Sequence, residues 1–223
     1  MSEFVKLTAS DGHVFDAYVA RPEGEPIAGL VVVQEIFGVN AHIRSVADGY
    51  AKDGFLAVAP ALFDRWERGV DIGYEGADME KGRSFLPKLD TELLSKDTAA
   101  AIAYARQQTG KKTGVIGYCL GGSIAWLAAA NLGADAAVGY YGGIIAKFAD
   151  AQLHCPVMLH FGKNDAHITE EDRAKIEAAH PEVPIFLYDA GHGFNCDMRG
   201  SYDAPSAKLA RERSLEFLKK NLV

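Results

Sequence analysis

A mostly parallel α/β sheet with helices on both faces is the fold class that this 223-residue chain predicts. Three observations lead there. Short apolar runs alternate with segments of helical period, the pattern of a parallel sheet wrapped on two sides. Some of the runs, such as Leu30-Val31-Val32-Val33, are apolar throughout, as a strand covered on both faces requires. No internal repeat, low-complexity tract or linker interrupts residues 1–223, so they read as one domain.

The chain opens on a hairpin. Val5-Lys6-Leu7 and His13 to Val19 flank the turn pair Asp11-Gly12. Leu30 to Val33 is the next strand, and Asn40 caps the helix after it. Phe55 to Ala59 is a strand ended by Pro60; residues 60–90 read as irregular, rich in charge and aromatics. Asp97 to Gln108 has Ala101, Ile102 and Ala105 at helical spacing. Strands follow at Thr113 to Gly117, Ala136 to Tyr141, Val157 to Phe161 and Ile185 to Tyr188. Helices are expected over Ser123 to Leu132, from a Thr169 cap to about Ala179, and over Ala207 to Leu218.

Composition excludes several functions. Apolar residues make up 48% and charged residues 24%, an ordinary globular balance. The net charge of −7 and the absence of a Lys/Arg cluster argue against nucleic acid. No apolar run is long enough for a membrane span, and the start, Met1 to Lys6, lacks the features of a secretion signal. Three cysteines without such a signal point to reduced thiols and a cytoplasmic location. No CxxC or HExxH spacing suggests zinc, and no cofactor is expected. The chain is expected to act as a monomer or small homo-oligomer on a small molecule.

Chemistry concentrates at Gly117-Tyr118-Cys119-Leu120-Gly121-Gly122. A strand precedes it and an Ala-rich helix follows, which is the context of a nucleophile elbow with Cys in the serine position of an α/β-hydrolase. Side chains at Gly117 or Gly121 would collide with neighbouring backbone in such a turn. The helix N-terminus favours a thiolate and a developing oxyanion, and the Leu120 N–H should point into an oxyanion hole. The plainer alternative is a buried structural cysteine beside a Gly-rich turn.

A thiol nucleophile needs a histidine base and a carboxylate to orient it, in the chain order nucleophile, acid, base. Asp165, after Phe161-Gly162-Lys163-Asn164, and His192, in Gly191-His192-Gly193-Phe194, both follow strands in that order. Taken singly, each also suits an ordinary loop residue. Asp189 is a rival acid by proximity. His154, His160 and His167 are rival histidines, with His160 read as a core residue and His167 as an alternative base. Glu35, in Val33-Gln34-Glu35-Ile36-Phe37-Gly38, ends an early strand where a second oxyanion donor arises; the Ile36 N–H is the candidate. A carboxylate there opposes thiol ionisation unless it takes the thiol's proton. Its alternative is an ion pair with an arginine.

Gln34-Glu35-Ile36-Phe37-Gly38-Val39-Asn40, the cysteine elbow, Gly139-Tyr140-Tyr141-Gly142 and Ala190-Gly191-His192-Gly193-Phe194 together resemble the dienelactone hydrolase (carboxymethylenebutenolidase) family over nearly the whole length. The resemblance implies a compact α/β-hydrolase without a large cap that opens an enol-lactone ring in the degradation of chlorinated aromatics. It implies a triad of Cys119, His192 and Asp165, and a strand-end Glu35 that takes the proton of a resting neutral thiol when substrate binds. Phe37 and Tyr140 fall at aromatic positions of the family's pocket. An arginine that holds the substrate carboxylate in the family falls, by count from His192, at Cys196, with Arg199 further on. A second falls within residues 60–90, where Arg83 is nearest and Lys81 and Arg68 are alternatives. Other readings are a carboxylesterase of broader small-ester specificity, a thiol redox sensor pairing Cys119 with Cys196, and a non-catalytic binding protein on the same fold.

Overall fold

The computed structural model describes residues 1–223. The amino-terminal hairpin pairs β1 (Ser2–Thr8) with β2 (Val14–Ala20) in antiparallel register, Thr8 opposite Val14. Gly12, in the turn between them, has φ +85°, which a side chain would resist. Then come β3 (Gly29–Val33), α1 (Ala41–Lys52), β4 (Leu56–Pro60), α2 (Gly76–Ser84), α3 (Thr91–Thr109), β5 (Thr113–Tyr118) and α4 (Leu120–Asn131). The chain ends with β6 (Ala137–Tyr140), β7 (Val157–Gly162), α5 (Glu170–Ala179), β8 (Ile185–Tyr188) and α6 (Ala204–Leu222).

The eight strands form one sheet in the order β1-β2-β4-β3-β5-β6-β7-β8. β2 meets β4 antiparallel, and every neighbouring pair from β4 onward is parallel. Every residue of β3, β4, β5, β6 and β7 is buried, whereas β1 and β8 carry exposed positions. That contrast follows from position: helices cover both faces of the central strands, and the outer strands are partly uncovered. α3 and α4 pack on each other and on β3 to β6. α1 packs on β4, and α6 packs on β5 and β7. Arg211 of α6 pairs with Asp53 at the end of α1, which ties those two helices together.

Helix boundaries depart from the sequence expectation where caps act. α3 begins at Thr91, six residues early, because Asp90 accepts from the Glu92 and Leu93 amides. α6 is likewise extended to Ala204 by Asp203, which accepts from the Ser206 amide. α4 starts at Leu120, immediately after the elbow, rather than at Ser123. Asn40 and Thr169 cap α1 and α5 as expected, Thr169 within a capping box with Asp172. Residues 60–90 are not wholly irregular: they contain α2 and two short turns of 3-10 helix at Leu62–Arg65 and Leu86–Lys88.

The strand order reverses between β3 and β5. The chain leaves β3 toward β4 on one side and returns to β5 on the other. Loops at the carboxyl ends diverge there, and a crevice opens.

Candidate active site

Cys119 occupies that crevice at the end of β5, with φ +53° and ψ −113°. A non-glycine residue in this conformation is strained, and the surrounding glycines permit it. A Cβ on Gly117 would overlap the Gly121 carbonyl, and one on Gly121 would overlap the Val33 carbonyl. The elbow is pinned on both sides: the Cys119 amide donates to Tyr140 O at 3.0 Å and the Gly121 amide to Gln34 O at 3.0 Å.

Gln34 locks the facing loop. Its Nε2 donates to Glu35 O at 3.1 Å, and its Oε1 accepts from the Leu62 amide at 3.0 Å. Beside these fixed points, the Ile36 N–H makes no hydrogen bond, and Leu120, as the first residue of α4, has no intrahelical acceptor. Both residues line one cavity of about 330 Å³ together with Cys119 and His192. Two unspent amides beside a thiol at a helix N-terminus suit a developing oxyanion.

His192 follows β8, and its Nδ1–H donates to Asp165 Oδ2 at 2.7 Å. Asp165 follows β7; its side chain is fully buried, and its Oδ1 accepts from the His167 amide at 2.8 Å. Burial acts to lower the His192 pKa, but beside an ionised Cys119 that charge and the Asp165 bond outweigh it and push the imidazole up to about 10. Cys119, His192 and Asp165 thus come together from the ends of three strands.

The rival residues are placed elsewhere. Asp189 is exposed and accepts from Asn164 Nδ2, and His154 is exposed. His160 is buried, bonded through Nδ1 to Tyr188 Oη at 2.8 Å and through Nε2 to Ser214 Oγ at 3.0 Å. His167 lines the cavity, with its ring 5.0 Å from that of His192, but the Asp165 carboxylate reaches it only through its backbone amide.

Glu35 is buried. Its Oε1 accepts from Arg199 Nη1 at 3.2 Å, and its Oε2 has no partner. Of its two readings the ion pair with an arginine is present, and the second carboxylate oxygen stays unpaired. Arg199 also lies over the rings of Phe37 and Tyr74, 5.7 and 5.6 Å from their centroids. Gly193, φ +76°, makes room for the guanidinium, because a Cβ there would approach Nη1 to 2.6 Å.

Phe37, Arg83 and Arg199 line the cavity. Lys81 pairs with Glu67, and Arg68 donates to Val14 O, so neither alternative to Arg83 reaches it. Tyr140 is a correction. It is fully buried behind the elbow and its hydroxyl bonds Ser214 Oγ at 2.7 Å; it does not line the cavity. Inward-facing β6 side chains belong to the core. Its neighbour Tyr141 turns instead, at φ +39°, and sets its ring 5.1 Å from His192. Sequence reasoning missed Tyr141, and nothing in Gly139-Tyr140-Tyr141-Gly142 distinguishes the two tyrosines except their place relative to the strand end. It also missed the apolar wall of Met79, Leu86, Leu89 and Ile144.

The sequence profile of the dienelactone hydrolase family matches residues 15–222. The chain belongs to the dienelactone hydrolase family. It is a hydrolase of that family. It is 35% identical to a carboxymethylenebutenolidase of Pseudomonas putida over 227 aligned positions, covering 98% of this chain and 96% of the relative. A putative dienelactone hydrolase of Klebsiella pneumoniae superposes with a TM-score of 0.84 at 29% identity, over 97% of this chain and 98% of that one. An esterase of Pyrococcus furiosus shares the fold, with a TM-score of 0.75 at 14% identity over 100% of this chain and 94% of the other. The family and these neighbours agree with the α/β-hydrolase architecture described above.

A His/Cys/Asp grouping close enough to share a cation, His42, Cys196 and Asp197, lies outside this cavity. No helix is long and apolar enough to cross a membrane.

Proposed function

We propose that this hydrolase opens an enol-lactone, or a similarly activated small ester, through a thioester on Cys119. The observation that supports it most is the convergence of the elbow cysteine, the Asp165-bonded His192 and two unspent amides on one cavity. The Cys119 thiolate attacks the carbonyl, and the Leu120 and Ile36 N–H groups hold the oxyanion. Collapse breaks the ring C–O bond and expels an enolate, a leaving group good enough to need little acid assistance. His192 then takes a proton from water, the hydroxide attacks the thioester, and the carboxylate product departs. Asp165 holds the imidazole by its Nδ1–H, so that Nε2 serves the reacting atoms.

Glu35 is assigned the proton of the resting thiol, through its unpartnered Oε2. Arg199, paired with Oε1, is the group that releases it: a substrate carboxylate in the cavity competes for the guanidinium. Arg83, which also lines the cavity, is the second candidate anchor. The apolar wall of Met79, Leu86, Leu89 and Ile144 favours a second reading, a carboxylesterase that accepts small apolar esters.

Hydrolysis of a dienelactone beside a nitrophenyl ester, by wild type and Cys119→Ala, tests both readings. Dienelactone turnover lost in the variant is the expected result. Ester turnover alone, also lost, moves the function to the broader esterase. Activity that survives in Cys119→Ala overturns the thioester mechanism.

A further inference from the structure

Outside the cavity, at the turn that carries Arg199, three side chains of metal-ligating type converge. His42 stands in the first turn of α1, and Cys196 and Asp197 lie between β8 and α6. One ligand atom from each lies within 4.8 Å of the other two. The His42 side chain is 4% exposed and Cys196 is fully buried, while Asp197 is 65% exposed on the solvent side.

The histidine is only half satisfied. An ionised carboxylate accepts only, so the His42 Nδ1–H donates to Asp197 Oδ1, at 3.1 Å. The other ring nitrogen, Nε2, is buried without a hydrogen-bond partner. Buried polar atoms are rarely left so, and such an exception points to a missing ion or water.

We propose that His42, Cys196 and Asp197 form a binding site for a divalent cation of the zinc class. The donor set selects it: one sulfur, one imidazole nitrogen and one carboxylate oxygen suit borderline metals, whereas magnesium and calcium take oxygen alone. Ligand atoms around a tetrahedral zinc stand about 3.3–3.8 Å apart, given bonds of about 2.0–2.3 Å. The present separations, none above 4.8 Å, exceed that range by about 1 Å at most. On binding, the Cys196 S–H loses its proton to solvent and the thiolate coordinates the ion; with the carboxylate it cancels the two positive charges. Burial and the nearby Glu35 hold the thiol at about 12 without metal, so the cation itself drives that ionisation. Water takes the fourth position from the surface cleft that His42 and Asp197 line with Asn195 and Tyr202.

The site abuts the catalytic cavity through one turn. The Arg199 amide donates to Cys196 O at 3.1 Å, and the Arg199 guanidinium holds Glu35. A bound ion therefore braces the arm that carries Arg199.

Cobalt(II) is the probe, titrated into Cys119→Ser so that the elbow thiol cannot compete. The expected result is a thiolate-to-cobalt charge-transfer band that saturates at one ion per chain. Zinc displaces it and magnesium in thousandfold excess does not. The band disappears in Cys119→Ser/Cys196→Ala. Because Cys196 is buried, Asp197→Ala on the Cys119→Ser background supplies a second variant at an exposed position, and it weakens cobalt binding at least tenfold. No band in Cys119→Ser, a band that survives loss of Cys196, displacement by magnesium, or unchanged affinity in the Asp197 variant overturns the assignment.

Discussion

Arg199→Met isolates the buried Glu35–Arg199 pair. The Glu35 side chain is 1% exposed and its partner 16%, and the two meet at 3.2 Å. At that separation, with an effective dielectric near 20, their attraction is about 5 kcal/mol. Removing the guanidinium leaves a desolvated carboxylate with neither oxygen paired, and breaking a buried pair in this way costs about 3–5 kcal/mol. For a domain of this size, about 2–4 °C of Tm accompanies each kcal/mol, so Arg199→Met should lower Tm by roughly 6–20 °C. The double variant Glu35→Leu/Arg199→Met removes the stranded charge and should recover most of the loss, because a hydrophobic replacement of a whole buried pair is often neutral. Urea unfolding followed by circular dichroism reads these differences as shifts in midpoint at constant slope. A single variant that loses less than about 1 kcal/mol, or a double variant no more stable than the single, would show a solvent-screened pair and refute this account.

Other perturbations have equally definite outcomes. Asp165→Asn should retain the fold but lower kcat by up to about 10⁴-fold, because an amide in place of the carboxylate holds the wrong imidazole tautomer; a loss below tenfold in steady-state ester hydrolysis would remove Asp165 from the triad. Gly117→Ala places a Cβ against the Gly121 carbonyl, so it should yield insoluble or inactive protein, whereas Gly143→Ala, with nothing near its Cβ, should behave as wild type in the same expression and thermal-melt comparison. His160 is held neutral, its pKa pushed down to about 3 by burial and then by Arg213. The unfolded chain takes up that proton near pH 6.5, so the stability His160 contributes is present above pH 6.5 and is lost as pH falls toward 3. His160→Gln should show a flatter fall in urea midpoint between neutral pH and about pH 4.5 than wild type, and parallel curves would contradict this.

Much of the site was legible in the chain because it is built from local signals. Glycines flanking Cys119 are required by the sterics of the turn itself, and the positions of Asp165 and His192 follow from strands that end just before them. The parallel sheet was legible for the same reason: β3 is apolar throughout and β5 and β7 nearly so, and only strands covered on both faces need such runs. Helix starts were less legible, since Asp90 and Asp203 act through side-chain bonds that compete with ordinary loop roles. Tertiary structure alone decided which of two adjacent tyrosines packs against His192, because β6 ends at Tyr140 and the next residue leaves the pleat. It alone paired Glu35 with Arg199, 164 residues away, and chose Arg83 over Lys81 and Arg68. Backbone turns are dictated by neighbours in sequence. Ion pairs and cavity walls are dictated by neighbours in space, and the sheet order that makes those neighbours is written in no single segment.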